Sequence, residues 1–232
     1  MRPILLLLCF GILSLPAIAQ KTETRQVDTF NAIHVSGNIK ATVERGPQRV
    51  TITAKADVLE RIETYVKKGE LFITVKNGRY GQNNWKNTGR IEVSISAPEL
   101  NGFVYNGSGS LRTTDKFSGD GMDVSLNGSG SMEVDLECRS LTVDQNGSGE
   151  LTVTGSSDRV RVRKNGSGAL TAPRLSANTV EVESNGSGNT RLHAANTLSV
   201  EANGSGSVYY SGSPRLHVDI NGSGRVRQSE RN

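Results

Sequence analysis

One tetrapeptide, Asn-Gly-Ser-Gly, recurs at regular intervals through the C-terminal half of the chain. Its seven copies begin at Asn106, Asn127, Asn146, Asn165, Asn185, Asn203 and Asn221. Consecutive copies are 18 to 21 residues apart, a period typical of proteins built from stacked repeats. The sequence therefore predicts one repeated unit, in which each asparagine occupies the same structural turn.

The residues on both sides of each turn alternate between apolar and polar side chains. An apolar residue stands three positions before the asparagine in every copy: Phe103, Val124, Val143, Val162, Val182, Val200 and Val218. A second apolar residue stands five positions before it in all copies but the first, which has Asn101 there. Apolar residues also recur five and seven positions after it. This period of two indicates a half-buried strand before each turn and another after it.

A strand, an Asn-Gly turn and a second strand fit two folds. In an antiparallel meander each Asn-Gly would form a hairpin, for which this dipeptide is a strong signal. In a β-solenoid each repeat is one rung, a single coil of the chain, and each turn is a corner stacked ~4.8 Å from the next. We favour the solenoid, because hydrogen bonds between identical stacked side chains explain why Ser and the second Gly recur as well.

Opposite charges fall on neighbouring rungs when the repeats are aligned on their asparagines. The aligned pairs are Arg161 with Glu181, Arg163 with Glu183 and Asp144, and Arg112 with Glu133. Parallel strands in register would make these residues direct neighbours. We therefore expect an all-β, single-stranded β-helix (β-solenoid) with a right-handed coil, in which the seven asparagines form one column. The strands are too short for an outer-membrane barrel, and the turns lack the Asp of calcium-binding nonapeptide repeats.

Residues 20–105 lack the regular repeat but keep the alternating pattern. We expect strands at 32–35, 39–43, 50–53, 71–75 and 91–95, and interpret this part as less regular rungs of the same solenoid. Residues 58–66 fit a short helix or another strand. Residues 77–89 show no periodicity, and we expect a protruding loop that holds Tyr80 and Trp85, the one Trp of the chain.

Residues 1–19 have the pattern of a secretory signal peptide. Arg2 precedes an apolar run, and Ala17-Ile18-Ala19 supplies the small residues before a cleavage point. The run is shorter than the ~20 residues of a membrane-spanning helix. We expect an exported protein, periplasmic, cell-surface or secreted, with a single domain over residues 20–232. Cys138 would then be its one cysteine, which excludes an internal disulfide. It fits a free reactive thiol, an intermolecular bridge or a small corner residue between strands, and we favour the corner residue.

Three features together resemble a known family. They are the segment from Phe30 to Gly37, the later Gly69-Glu70-Leu71-Phe72-Ile73, and the run of Asn-Gly-Ser-Gly turns. They are similar to the head GIN domain of auto-transporter adhesins, a domain of unknown function common in secreted proteins of the Bacteroidetes. The resemblance covers essentially all of the chain after residue 19. It implies a single-stranded β-helix and an adhesin role, and it supplies no catalytic or ligand-binding residues.

The chemistry in the sequence favours a non-catalytic binding or structural module. A solenoid presents long faces of outward columns, which suit an extended glycan or an envelope or surface protein. The candidate contact residues are the loop aromatics Tyr80 and Trp85 and an acidic column of Glu183, Glu201 and Asp219. A net charge of +4, with bases and acids interleaved, argues against nucleic-acid binding.

The alternative hypothesis is a polysaccharide-active lyase or hydrolase. Such enzymes need clustered carboxylates, or a base with a cation beside the sugar acid. The acidic column, with Glu181 beside it and Lys164 one rung away, is the only such cluster in the sequence. We expect no metal and no cofactor, because His34, His193 and His217 share no metal-ligand spacing and Cys138 has no partner.

Overall fold

The computed structural model describes residues 20–76 and 89–229, of which most are in β-strands. Among these residues one short helix, α1 (Ala56–Leu59), interrupts the strands. The strands in chain order are β1 (Gln20–Arg25), β2 (Ala32–Ser36), β3 (Lys40–Arg45), β4 (Arg49–Lys55), β5 (Ile62–Lys67), β6 (Glu70–Val75), β7 (Glu92–Ala97), β8 (Gly102–Gly107), β9 (Ser110–Thr113), β10 (Phe117–Gly128), β11 (Ser131–Gly147), β12 (Glu150–Gly166), β13 (Ala169–Ala172), β14 (Leu175–Gly186), β15 (Thr190–His193), β16 (Thr197–Gly204), β17 (Val208–Ser211), β18 (Arg215–Gly222) and β19 (Val226–Gln228).

Successive repeats stack in parallel and in register. The strands that precede the corners pair in the order β8, β10, β11, β12, β14, β16 and β18. The strands that follow the corners pair in the same way, in the order β9, β11, β12, β13, β15, β17 and β19. The fold is therefore a β-solenoid of about seven turns, as predicted, and not an antiparallel meander. Its right-handedness stays a prediction.

The core is a narrow column of aliphatic side chains inside the coil. The apolar residues three positions before the corners are each at most 3% exposed in the first six repeats: Phe103, Val124, Val143, Val162, Val182 and Val200. The polar residues between the inward positions face outward. This is the half-buried alternation that the sequence predicts.

The seven corner asparagines lie in one column, as predicted, because each is in register with the next. The Nδ2 atom of Asn127 donates to Oδ1 of Asn106 at 2.7 Å. The same bond, at 2.9–3.2 Å, continues the ladder through Asn146, Asn165, Asn185 and Asn203. The hydroxyls of Ser148 and Ser167 add a serine contact of 3.2 Å. The repeated side chains therefore bond from rung to rung.

Both glycines of a corner are required by the closeness of the neighbouring rung. Gly166 has a φ of +115°, and a Cβ there would overlap the carbonyl oxygen of Gly147. That oxygen accepts hydrogen bonds from the N–H groups of Ser167 (3.1 Å) and Gly168 (2.9 Å). A Cβ on Gly168 would overlap the carbonyl oxygen of Gly149 in the neighbouring rung. The first glycine thus supplies backbone freedom and the second supplies space.

The N-terminal part departs from the prediction of uniform rungs. Two coils, β2 with β3 and β6 with β7, do pair in parallel with the solenoid, but the first lies between the second and the coil formed by β8 and β9. Spatial order therefore differs from chain order here. The strand predicted at 50–53 is present as β4, but β1, β4 and β5 pair antiparallel and form no rung. The interpretation of these segments as rungs of the solenoid is therefore wrong.

Residues 58–66 contain both of the elements that the sequence left open, the end of α1 and most of β5. Val58, Leu59 and Ile62 are at most 4% exposed and belong to the continuous core cluster. They close the N-terminal end of the core. The segment 1–19 and the predicted loop, apart from Gly89, lie outside the described residues.

Candidate functional site

One outward column runs the length of the solenoid. It comprises the residues two positions before each corner, and the pairing register continues it through the N-terminal strands. Its ten members are Tyr65, Phe72, His34, Val104, Ser125, Asp144, Arg163, Glu183, Glu201 and Asp219. None of these side chains is buried. At ~4.8 Å per strand this central column is about 40 Å long, enough to contact an extended ligand.

The N-terminal end of the central column is a stack of rings. The ring centroids of Tyr65 and Phe72 are 5.1 Å apart with planes 10° apart. His34 lies on the other side of Phe72, with centroids 4.6 Å apart. The carboxylate of Glu70 borders the stack, with Oε2 3.1 Å from His34 Nε2. Because Tyr65 is 45% exposed, the stack offers solvent an apolar surface with a polar border.

The middle of the column holds paired charges. Arg163 Nε lies 2.8 Å from Asp144 Oδ1, and in the next outward column Arg161 binds Glu181 at 2.9 Å. The register also places Arg163 beside Glu183, as predicted, but the Glu183 carboxylate accepts from Asn185 Nδ2 instead, at 3.4 Å. Exposed pairs of this kind contribute ~0–1 kcal/mol each. These ion pairs indicate the register of the strands but contribute little to the stability of the fold.

The predicted acidic column forms the C-terminal end of the central column. Glu183, Glu201 and Asp219 are neighbours in register, and all three are exposed. Over residues 20–76 and 89–229, no group of three or more His, Cys, Asp or Glu side chains could hold a metal ion. Lys164, which the enzyme hypothesis places beside these carboxylates, is 1% exposed and faces the core. It cannot neutralise a substrate on this face.

Lys164 instead belongs to an inward polar group. It stands directly before its corner, in register with Gln145 on one side and Ser184 on the other, and all three are at most 5% exposed. Gln145 Nε2 donates to two backbone carbonyls at 2.8 and 3.0 Å, whereas Lys164 Nζ has no hydrogen-bond partner among the described residues. Burial disfavours the ammonium form and lowers the pKa of Lys164 to about 8.

Cys138 lies in β11 next to Arg139, where the strand pairing is interrupted. Its Sγ is 3.6 Å from the Ser157 hydroxyl, and the residue is 9% exposed. Burial is the main cause of a raised pKa for the Cys138 thiol, to which the Asp158 charge adds. A buried thiol with a raised pKa is a poor nucleophile, and the prediction that Cys138 is a small corner residue stays a prediction.

Sequence reasoning missed the ring stack. The alternation of apolar and polar residues shows that Tyr65 points outward from β5 and that Phe72 points outward from β6. It does not show that β5 pairs antiparallel with β6, or that β2 brings His34 onto Phe72 from a distant part of the chain. The predicted aromatic contacts, Tyr80 and Trp85, lie outside the described residues.

The family of the chain follows from a match over most of its length. The model of the family described as "Putative auto-transporter adhesin, head GIN domain" matches residues 29–214. This chain belongs to the head GIN domain family. The match spans the central column from His34 to Glu201 and ends just before β18. No curated protein matches the chain.

Solved structures share this fold over nearly their whole length. An adhesin, described as putative, from Bacteroides fragilis NCTC 9343 is 24% identical, has a TM-score of 0.81, and is matched over 99% of its chain and 92% of this one. A "putative lipid binding protein" from Parabacteroides distasonis ATCC 8503 is 21% identical, with a TM-score of 0.71 over 97% of its chain and 91% of this one. A "putative adhesin" from Parabacteroides merdae ATCC 43184 is 16% identical, with a TM-score of 0.64 over 96% and 91%. At such identities the likeness shows the fold alone.

None of these three proteins is described as an enzyme. In the part of this chain that the structure describes, no helix combines the length and apolar character needed to cross a membrane.

Proposed function

We propose that this member of the head GIN domain family is an exported, non-catalytic binding module of the adhesin type, located in the periplasm, at the cell surface or outside the cell. The observation that carries the proposal is the central column. The strands that carry its side chains are held in register by backbone and Asn–Asn hydrogen bonds, so the backbone of this face needs little ordering when a ligand binds.

The ring stack is the contact we propose for an extended glycan. Tyr65, Phe72 and His34 supply flat apolar area, and Glu70 supplies a hydrogen-bond acceptor at its border. Binding sites combine apolar area with a few placed polar groups in this way. An envelope or surface protein is the other class of ligand that such a face would fit.

The predicted loop and the acidic column are the further contacts in this proposal. The loop that holds Tyr80 and Trp85 lies between β6, which carries Phe72, and β7. Glu183, Glu201 and Asp219 extend the same central column to its other end, where they would favour a ligand with positive charge or hydroxyl donors.

A glycan array with the purified protein tests this function. We expect Tyr65→Ala to weaken binding to any glycan retained by the wild type, and Trp85→Ala to weaken it if the loop takes part. The matched control is Tyr209→Ala, because Tyr209 is a partly exposed aromatic residue of β17, a strand that follows a corner, and lies beside Arg191 and outside the central column. Equal loss of binding in all three variants would contradict a role for the central column.

The enzyme hypothesis makes a different prediction in the same preparation. New reducing ends or unsaturated uronate absorbance from a polysaccharide panel, abolished by Glu183→Gln or Glu201→Gln, would overturn the non-catalytic proposal. Glycan binding without product formation, in the presence and absence of calcium, is the result we expect.

A further inference from the structure

The apolar core is covered at one end of the solenoid and exposed at the other. At the N-terminal end, α1 and β5 cover the core. At the C-terminal end, the inward residues Leu216 and Val218 of β18 are 42% and 37% exposed. Their equivalents one rung earlier, Leu198 and Val200, are 0% and 1% exposed. The last rung of the described residues therefore leaves the apolar core open to solvent.

Strand β18 also has a free edge. It pairs with β16 on one side, and no other strand of the described part of the chain pairs with it. Natural proteins protect such edges with proline or with inward-pointing charges. Arg215–Gly222 contains no proline, and its charged residues alternate with the apolar ones, on the outward side. The edge strand β1 at the other end, by contrast, consists of polar residues only.

The sequence of β18 is complementary to itself in the antiparallel direction. If two copies pair about Val218, then Leu216 faces Ile220 of the second copy on the inward side, and His217 faces Asp219 on the outward side. Inward residues meet inward residues because side chains alternate with period two. A register centred on His217 would instead place Ile220 opposite Pro214 and two histidines opposite each other. The register about Val218 is the one that pairs every apolar residue.

We propose that the C-terminal end of the solenoid binds a second copy of this chain, through antiparallel pairing of β18 with β18 of that copy. Like ends must meet, because α1 and β5 cover the N-terminal end and, in the described residues, it presents no apolar core to β18. Such a contact is two-fold symmetric and closes after two copies, so it yields a dimer and not a filament. The two cores become continuous, and both free edges are covered at once.

Light scattering on the purified protein after size exclusion tests the dimer. We expect twice the mass of one chain. Val218→Lys places two ammonium groups opposite each other at the symmetry axis and should weaken the dimer about 100-fold or more. The variant should still fold, since Val218 is already 37% exposed in the single chain, and circular dichroism checks this. Tyr65→Lys, at an exposed aromatic residue of the other end, is the matched control and should leave the dimer intact.

Cysteine cross-linking tests the register. Opposite residues of an antiparallel pair have Cα atoms about 4.5–5.5 Å apart, within the range of a disulfide, so oxidation should link Val218→Cys chains into covalent dimers. The two copies of residue 216 would lie about 14 Å apart along the strands, so Leu216→Cys should not cross-link. A monomer at all attainable concentrations, larger oligomers, a dimer that survives Val218→Lys, or equal cross-linking at both positions would each overturn the proposal.

Discussion

Replacing the buried Lys164 tests how much a buried charge costs the stability of the solenoid. The residue is 1% exposed, and its buried ammonium group has no hydrogen-bond partner among the described residues. Methionine has a similar unbranched length and no charge, and it adapts to irregular core space. We expect Lys164→Met to stabilise the solenoid at neutral pH.

The size of the effect follows from the pKa of Lys164. Burial lowers it from 10.5 to about 8, and this difference corresponds to about 3 kcal/mol. Below pH 8 the folded and unfolded chains both carry the proton, so the full cost of the buried charge is present. Between about pH 8 and 10.5 the unfolded chain holds more protons than the folded chain, so stability rises with pH as this cost disappears.

Thermal unfolding followed by circular dichroism measures both parts of the prediction. At pH 7 the Tm of Lys164→Met should exceed that of the wild type by about 6–12 °C, because ~1 kcal/mol corresponds to 2–4 °C in a domain of this size. The gap should shrink steadily as the pH approaches 10.5. Comparing the two proteins at each pH cancels the titration of all other groups. Lys40→Met, at an exposed lysine of β3, is the control and should change Tm little at any pH.

Two results would refute this reasoning. A Tm gap that stays constant with pH would mean that Met stabilises through packing and not by removing a charge. A lower Tm for Lys164→Met at pH 7 would mean that the ammonium group makes a favourable interaction in the folded protein.

Two further predictions concern the corners and the cysteine. The double variant Asn165→Ala with Gly166→Ala loses two ladder bonds and forces alanine to a φ of +115°, so it should be destabilised by more than ~1 kcal/mol. Arg163→Ala loses an exposed ion pair of at most ~1 kcal/mol. Equal Tm values for the two variants would contradict the corner argument. Cys138 should react with a thiol reagent at pH 8 far more slowly in the folded protein than after denaturation, because burial raises the pKa of its thiol; equal rates would contradict that assignment.

The regular part of the fold was predictable because each rung repeats the same local information. The valine three positions before a corner and the asparagine of the corner recur at one spacing, and parallel stacking in register is the arrangement that buries the first and bonds the second. Charge alignment fixed the same register independently, since Arg161 and Glu181 do form an ion pair. Agreement between these levels is what specifies a unique fold.

The rest depended on contacts between distant segments. The position of β2 between β6 and β8 brings together residues that are far apart in the sequence. The antiparallel pairing of β5 with β6 is not part of the sequence repeat, so the repeat could not predict it. The ring stack was missed for this reason. The burial of Lys164 could have been predicted, because the alternation places the residue directly before each corner on the inward side. It was not predicted, because inward positions usually hold apolar residues and seldom a charged one.

The solenoid tolerates the buried Lys164 because every rung contributes separately to the stability of the fold. The corner sequence is constant, and the bonds it makes reach only the neighbouring rungs, so stability is close to a sum of rung and interface terms. A cost of about 3 kcal/mol at one inward position can then be carried by the rungs on either side. For the same reason the outward positions can vary, since Phe72, Arg163 and Glu201 differ completely in chemistry while their strands stack in parallel and in register. A scaffold of this kind can change what its face binds without changing how it folds, which is the property that a binding module requires.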